Sequence, residues 1–551
     1  MKAVKRVFFT ILMLAAAAAF AGGRKQAPAQ GSSGGVLSVQ TDAAISTLDF
    51  HGTSEGTALQ AMGTIGVGLH YLDANDVLQL GLAESFTRSP DGLTLTYKLR
   101  DTRWSDGSPV TAHDFVYSWR RLGDPALAAE YRWLLYAAGI ENSVDVINGD
   151  KALETLGVRA VDDKTLVVKL STPVAFVDGL FAVPVFFPLK QSFVETHGAK
   201  FATSPETVLS CGPFKVKTYE PNADVVELER NPHFYRAQDV KLDGIRFQTI
   251  KDIQQAVLAY HSGIIDVIPR LSGEQIDLYR DDREFRSELG GYVYYLTPNG
   301  KTNTYLANLN IRRAFALSID RDALTRNILR DGSVPAEYLV ARGLATDPDD
   351  HSDFRDGGAG VGNELHFNRT EALRLWNQAK RELGFDALTL NLNTEDSELY
   401  QTIGQFLQAQ LQNLPGLIIR LSPMPKNSQI AKYLEGDFEL NLHRWGPDYR
   451  DPLTFLDLWA TGIHPVYRND EYNAIVDSAA RGDLARDIPR RFKELRRAEQ
   501  ILLRDVAAIP LFQTGISILQ KAHVTGVEYH AVQGTANYAW AIKNPLNTAG
   551  R

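Results

Sequence analysis

Trp104-Ser105-Asp106-Gly107-Ser108-Pro109-Val110-Thr111-Ala112-His113-Asp114-Phe115-Val116-Tyr117-Ser118-Trp119-Arg120-Arg121-Leu122 is the stretch from which the rest of the chain can be read. Trp104 to Gly107 is a turn signal. Thr111 then stands three residues before Asp114. At that spacing the Thr hydroxyl accepts from a free N–H of the first helical turn, and the acid reaches back to the Thr N–H. A helix is expected from there through Trp119. Upstream, Ala83-Glu84-Ser85-Phe86 opens a hairpin, Ser89-Pro90-Asp91-Gly92 turns, and residues 93–99 alternate as a half-buried strand should. Further out, residues 36–40, 165–170 and 225–228 read as strands. Residues 57–69 have roughly helical spacing, and 310–329 and 371–382 read as amphipathic helices. Strands and helices mixed throughout give an α/β or α+β protein, with no repeat of solenoid period.

The first residues set the compartment. Lys2, Lys5 and Arg6 precede the apolar run 7–20, and Ala19-Phe20-Ala21 supplies a small-x-small cleavage pattern. Residues 1–21 read as a secretory signal peptide, too short in its apolar part for a membrane span. Position 23 is Gly, so no cysteine stands there for lipidation. Residues 22–35, rich in Gly, Ser, Ala and Gln, read as a flexible tether. Gly31-Ser32-Ser33-Gly34-Gly35 matches G-x-S-x-G in a linker, without the strand and helix that a nucleophile elbow needs. The formal charge is −8, and −11 (−8 − 3) without the three leader cations. That balance argues against nucleic acid as a partner. One cysteine, Cys211, allows no intrachain disulfide and reads as a buried small side chain. About 530 mature residues exceed a single core, so two or three domains are expected.

A second stretch carries the chemistry: His443-Arg444-Trp445-Gly446-Pro447-Asp448-Tyr449-Arg450-Asp451-Pro452, then Thr454-Phe455-Leu456. Gly and two Pro make it a loop rather than a helix interior or a central strand. Asp448 lies between Trp445 and Tyr449. There a carboxylate can be partly desolvated and pair strongly with a ligand cation. The competing reading is a turn Asp ahead of Asp-Pro.

Taken in order, four landmarks make the chain resemble the family 5 solute-binding proteins of ABC transporters. They are residues 83–122, Cys211-Gly212-Pro213-Phe214-Lys215-Val216 with Leu228-Glu229-Arg230-Asn231-Pro232, residues 311–321, and residues 445–455. The resemblance implies an α/β, two-lobe periplasmic-binding-protein-like fold (type II, class C) with an extra domain and a hinge. On this chain it implies a discontinuous lobe I (36–66, 188–289 and 515–543), an extra domain (67–187) and lobe II (290–514), with ligand between the lobes. It also implies that Asp448 pairs with a peptide's α-ammonium and that Trp445 lines a side-chain pocket. Tyr131, in Ala129-Glu130-Tyr131-Arg132-Trp133, aligns with a ligand-contacting Tyr. Ser54-Glu55-Gly56 aligns with a segment that pairs with the peptide backbone as an added strand. Gly446, counted with the ligand-binding set, stands where a relative has a disulfide cysteine. Read as residues alone, Tyr131 and Trp445 fit core packing equally well, and Gly56 is a turn glycine. Arg312 and Arg313 fit helix structure better than ligand contact.

Short peptides are thus the implied ligands. Permease and ATPase subunits of an ABC transporter are the implied partners, and the protein is expected to be a periplasmic monomer without cofactor or metal. Two departures bear on the ligand's far end: Leu442 and Tyr433 stand where oligopeptide binders carry basic residues. Phe50 replaces the proline usual after Leu-Asp. Other solutes of the family (a dipeptide, a nickel complex, haem, an oligosaccharide) are the alternative ligands. An exported hydrolase is a third reading, weakened because no H-E-x-x-H, C-x-x-C or Walker A is present. An adhesin or chaperone reusing the fold is a fourth.

Overall fold

Thr111 and Asp114 form both halves of the predicted capping box at the start of the helix Ala112–Leu122. The Thr111 N–H donates to Asp114 at 2.8 Å. These side chains belong to a computed structural model that describes residues 34–545 apart from 272, 348, 357–364, 461–463, 465 and 532–535. The expected leader (1–21) and residues 22–33 of the tether, with Gly23, lie outside the described residues. Ala112–Leu122 packs beside the strands Val158–Asp162 and Thr165–Lys169 and buries Phe115, Trp119 and Leu122, with Trp119 against Phe181 and Phe186. Those strands complete an antiparallel four-stranded sheet in the order Ala83–Arg88, Thr94–Leu99, Thr165–Lys169, Val158–Asp162.

A larger sheet of eleven strands forms the frame. Its path runs Leu417–Met424, Leu388–Glu395, Leu440–Trp445, Phe285–Pro298, Ile509–Gln520, Val267–Ile268, Val36–Thr41, Gly244–Thr249, Val225–Arg230, Phe214–Thr218, with Val334–Pro335 beside Ile509–Gln520. The sequence-distant strands 36–41 and 244–249 pair in parallel, Val36 opposite Gly244. Two long strands join the halves. Phe285 to Leu289 pairs with Leu519 to Gly515, and Val293 to Leu296 pairs with Gln513 to Ile509, with a register shift between. The shift falls on Gly290-Gly291-Tyr292. A Cβ on Gly291 would stand 2.3 Å from the Ala531 carbonyl oxygen, and one on Gly515 would stand 2.2 Å from Gly332. Only a residue without a side chain fits at either place, so the crossing is built from glycine.

One expected helix is broken. Residues 310–329 form the helix Leu309–Ser318, an extended Ile319 (φ −95°, ψ 112°), and a second helical run from Arg321 to Leu329. Asp320 caps the second run, accepting from the Ala323 N–H at 2.9 Å. The break also lets the buried Arg321 guanidinium donate to the carbonyls of Pro510, Ala316 and Leu365. Apolar periodicity carries through such a joint and does not register it. Cys211 is buried, its thiol pushed up to about 12 by desolvation, with a weak contact to the Val67 carbonyl at 3.8 Å. Arg312 donates to the carbonyls of Asp505 and Leu306, a structural role. Among the described residues no helix is long and apolar enough to cross a membrane.

Candidate ligand-binding site

The strand Leu440–Trp445 ends beside the crossing, with Trp445 opposite Val293. A Cβ on Gly446 would meet the Tyr292 ring at 2.5 Å, so the chain must pass here as glycine. Pro447 lies against Gly291 in the same way. The loop that follows is held at several points. The Asp448 N–H donates to Thr454 Oγ1 at 3.1 Å. Asp451 receives both arms of the Arg491 guanidinium at 2.7 Å, and this pair is almost fully buried. The other Asp451 task is to accept from the Leu453 N–H at 2.9 Å, which starts the helix Leu453–Ala460.

This fixed loop forms one wall of a cavity of about 920 Å³. Trp445, Asp448, Tyr449, Thr454 and Asp457 lie on that wall, and Arg481 from the helix Asp470–Arg481 extends it. The opposite wall comes from the unit that carries the four-stranded sheet: Tyr131, Trp133, Tyr136, Val144 and Phe176. Trp133, Tyr136 and Val144 are 39%, 43% and 45% exposed, so apolar surface is open to whatever fills the space. The volume is at the upper end of the ~300–1,000 Å³ usual for small-molecule sites. The walls also touch. Phe176 stacks on Tyr449 with ring centroids 4.3 Å apart and planes 9° from parallel. Arg450 meets Asp76 in an ion pair at 2.9 Å without a directed hydrogen bond. The His530 ring also contacts Asp76, at 2.7 Å.

Asp448 is the group out of balance. It is half-buried, and no described residue donates a hydrogen bond to its carboxylate or pairs with it. Burial alone pushes its carboxyl up to about 6. Its charge is felt next door: burial, and after it the Asp448 carboxylate, push Tyr131 up to about 12. Desolvation also raises Asp457, partly offset by the Arg481 charge. A carboxylate partly removed from water, with no donor among the described residues, is the arrangement that a ligand cation would complete.

The six expected site residues divide into two groups. Asp448, Trp445 and Tyr131 meet on the cavity wall. Ser54, Gly56 and Gly446 are not on it. Ser54 gives both its N–H (3.0 Å) and its hydroxyl to Glu130, the residue before Tyr131. Gly56 opens the helix Gly56–Ile65 with free space where a side chain would be. Gly446 serves the packing against Tyr292. Leu442 and Tyr433 are buried and off the wall, Tyr433 stacked on His443 at 4.7 Å and bonded to His464. Arg481, Trp133 and Tyr136 are among the wall residues that sequence reasoning missed. Arg481 reads as an ordinary last-turn cation. The aromatics of Tyr131-Arg132-Trp133-Leu134-Leu135-Tyr136 held the only signal.

The family model described as "Bacterial extracellular solute-binding proteins, family 5 Middle" matches residues 77–464. A dipeptide-binding protein of Lactococcus lactis is 29% identical over 515 residues, covering 90% of this chain and 92% of its own. The structure of Listeria monocytogenes OppA bound to peptide superposes with TM-score 0.70 and 32% identity, over 93% of this chain and all of the other. The substrate-binding domain of an oligopeptide ABC transporter from Bacillus anthracis gives TM-score 0.71 and 34% identity, over 93% and 99%. With its sheet order, its glycine-built crossing and its cavity, the chain belongs to family 5 of the bacterial extracellular solute-binding proteins.

Proposed function

We propose that this protein captures short peptides by their α-ammonium group on Asp448 and delivers them to the permease of an ABC transporter for uptake. The observation that carries the reading is the Asp448 carboxylate: half-buried, on the cavity wall, and without a described donor. A peptide's free N-terminus supplies the missing charge and three N–H donors, and a blocked N-terminus leaves the acid unpaired. Trp445, Tyr131 and the exposed aromatics opposite would take side chains with little discrimination. The peptide-binding names and titles of the relatives support the same ligand class. No chemistry on the ligand is part of this reading.

The lobes are assigned as 36–66 with 188–289 and 515–543, and 290–514, with 67–187 as the extra domain. Closure would turn on the register shift at Gly290-Gly291-Tyr292. Ser54-Glu55-Gly56 would add its backbone to the peptide's once closure brings it near, with the Ser54 N–H exchanging Glu130 for the ligand. The working form is a monomer in the periplasm, exported by its leader.

The test is to express the protein with its leader, purify the mature form, denature it and analyse what it releases by mass spectrometry. Peptides with free N-termini, which rebind stoichiometrically on refolding and are not consumed, are the expected result. A sugar, haem or metal complex that rebinds in their place would overturn the proposal.

A further inference from the structure

The cavity wall also carries a solvent-exposed guanidinium, that of Arg481. Arg481 ends the helix Asp470–Arg481, and its guanidinium carbon lies 4.8 Å over the ring of Tyr136 on the opposite wall. Among the described residues no carboxylate comes within ion-pair distance of it. Asp457 feels its charge and has a contact of its own. A guanidinium resting on an aromatic face keeps its in-plane N–H donors available, and their fork matches a carboxylate. The last turn of a helix favours a cation, which accounts for a positive charge there. It does not account for a charge turned onto the cavity wall and onto a ring of the opposite unit.

We propose that Arg481 is the specificity residue for the ligand's negative end, receiving a carboxylate from the peptide whose ammonium sits on Asp448. The inference rests on the peptide reading above and extends it: the preferred ligand is a zwitterion or carries an acidic side chain. It also gives a place for the function that Leu442 and Tyr433, both buried and off the wall, do not serve. The acid and the base lie on one wall of one cavity, so a short peptide along that wall would meet both. Tyr136 would hold the guanidinium in place, a positioning role.

The carboxylate could be the peptide's C-terminus or a Glu or Asp side chain, and the arms of the experiment separate the two. Calorimetry would compare alanine peptides of two to six residues, each with one phenylalanine, as free acids and as C-terminal amides. Amides carrying Glu would be compared with the same amides carrying Gln. The wild-type protein is expected to bind the carboxylate-bearing member of one of these pairs about five- to tenfold more tightly. Arg481→Gln should close that gap, with the larger loss falling on the carboxylate-bearing member, and Arg481→Lys should restore part of it. A residue that merely propped Tyr136 would weaken both members alike. Peptide binding that needs Asp448 but shows the same gap in Arg481→Gln, or no gap in the wild type, would overturn this inference alone. A protein that binds no peptide of the set would overturn the peptide reading and this inference together.

Discussion

Asp448 is placed at a cost to the unliganded protein, and that cost is measurable. Its carboxyl is raised from 3.8 to about 6 by burial alone. A raised acid binds its proton more tightly folded than unfolded. Its ionisation is therefore neutral to stability below about pH 4, grows costly as pH rises to 6, and stays so above. At about 1.4 kcal/mol per pKa unit, and discounted for solvent screening of a half-buried group, the cost is about 1–2 kcal/mol. Asp448→Asn should therefore resist denaturant better than wild type at pH 7.5 and match it near pH 3.8, read from urea midpoints without peptide. A mutant that is less stable at pH 7.5 would show that the carboxylate has a partner in solution. The same titration shapes binding. Peptide affinity should fall as pH drops below about 6, where Asp448 gains its proton. It should fall again above roughly 8, where the ligand amine loses its own. The acid limb should vanish in Asp448→Asn. Position 448 was legible in the sequence because Gly, two Pro and flanking aromatics mark a loop that keeps a charge half out of water. The absent partner was not legible, because it is a fact about what the fold brings near.

At the scale of the element, the loop 446–452 holds its shape through Asp451 and Arg491, residues that no local pattern joins. The pair is bidentate at 2.7 Å, and its two side chains are 7% and 1% exposed. Removing one partner leaves a buried charge uncompensated, so Arg491→Met should destabilise the protein by about 3–5 kcal/mol. Asp451 then also loses its hold on the start of Leu453–Ala460, and peptide affinity should fall with stability, checked by thermal denaturation beside calorimetry. Unchanged stability would mean that the loop is held by its packing alone. Elements defined by their own residues were read correctly: the capping box at Thr111 and Asp114, and the hairpin of Ala83–Arg88 with Thr94–Leu99. The joint at Ile319 was not, because it also rests on Arg321 reaching two distant carbonyls, those of Pro510 and Leu365.

For the whole molecule, the cavity lies between surfaces far apart in the chain, near residues 131–176 and 445–481. Sequence pattern shows each surface but not that they face each other; the resemblance implied ligand between lobes I and II, whereas the cavity is lined from the segments expected to be the extra domain (67–187) and lobe II (290–514). The loop with Asp448 packs on the same Gly291 and Tyr292 that interrupt the two crossing strands. The acid's loop and the crossing are thus in direct contact, and in the proposed closure this contact would couple ligand charge to bending there. Small-angle scattering should show a smaller radius of gyration with saturating peptide. The change should be absent with N-acetylated peptide, and an unchanged radius with bound peptide would remove closure from the account. The central claim is that a free α-amine is recognised by Asp448. The most direct measurement is calorimetry at pH 7 of one tripeptide and its N-acetylated form, each against wild type and Asp448→Asn. Tight binding only in the pairing of free amine with wild type, with at least about a hundredfold loss in the other three, is the predicted result. Equal binding of the free and acetylated peptides by the wild-type protein would contradict it.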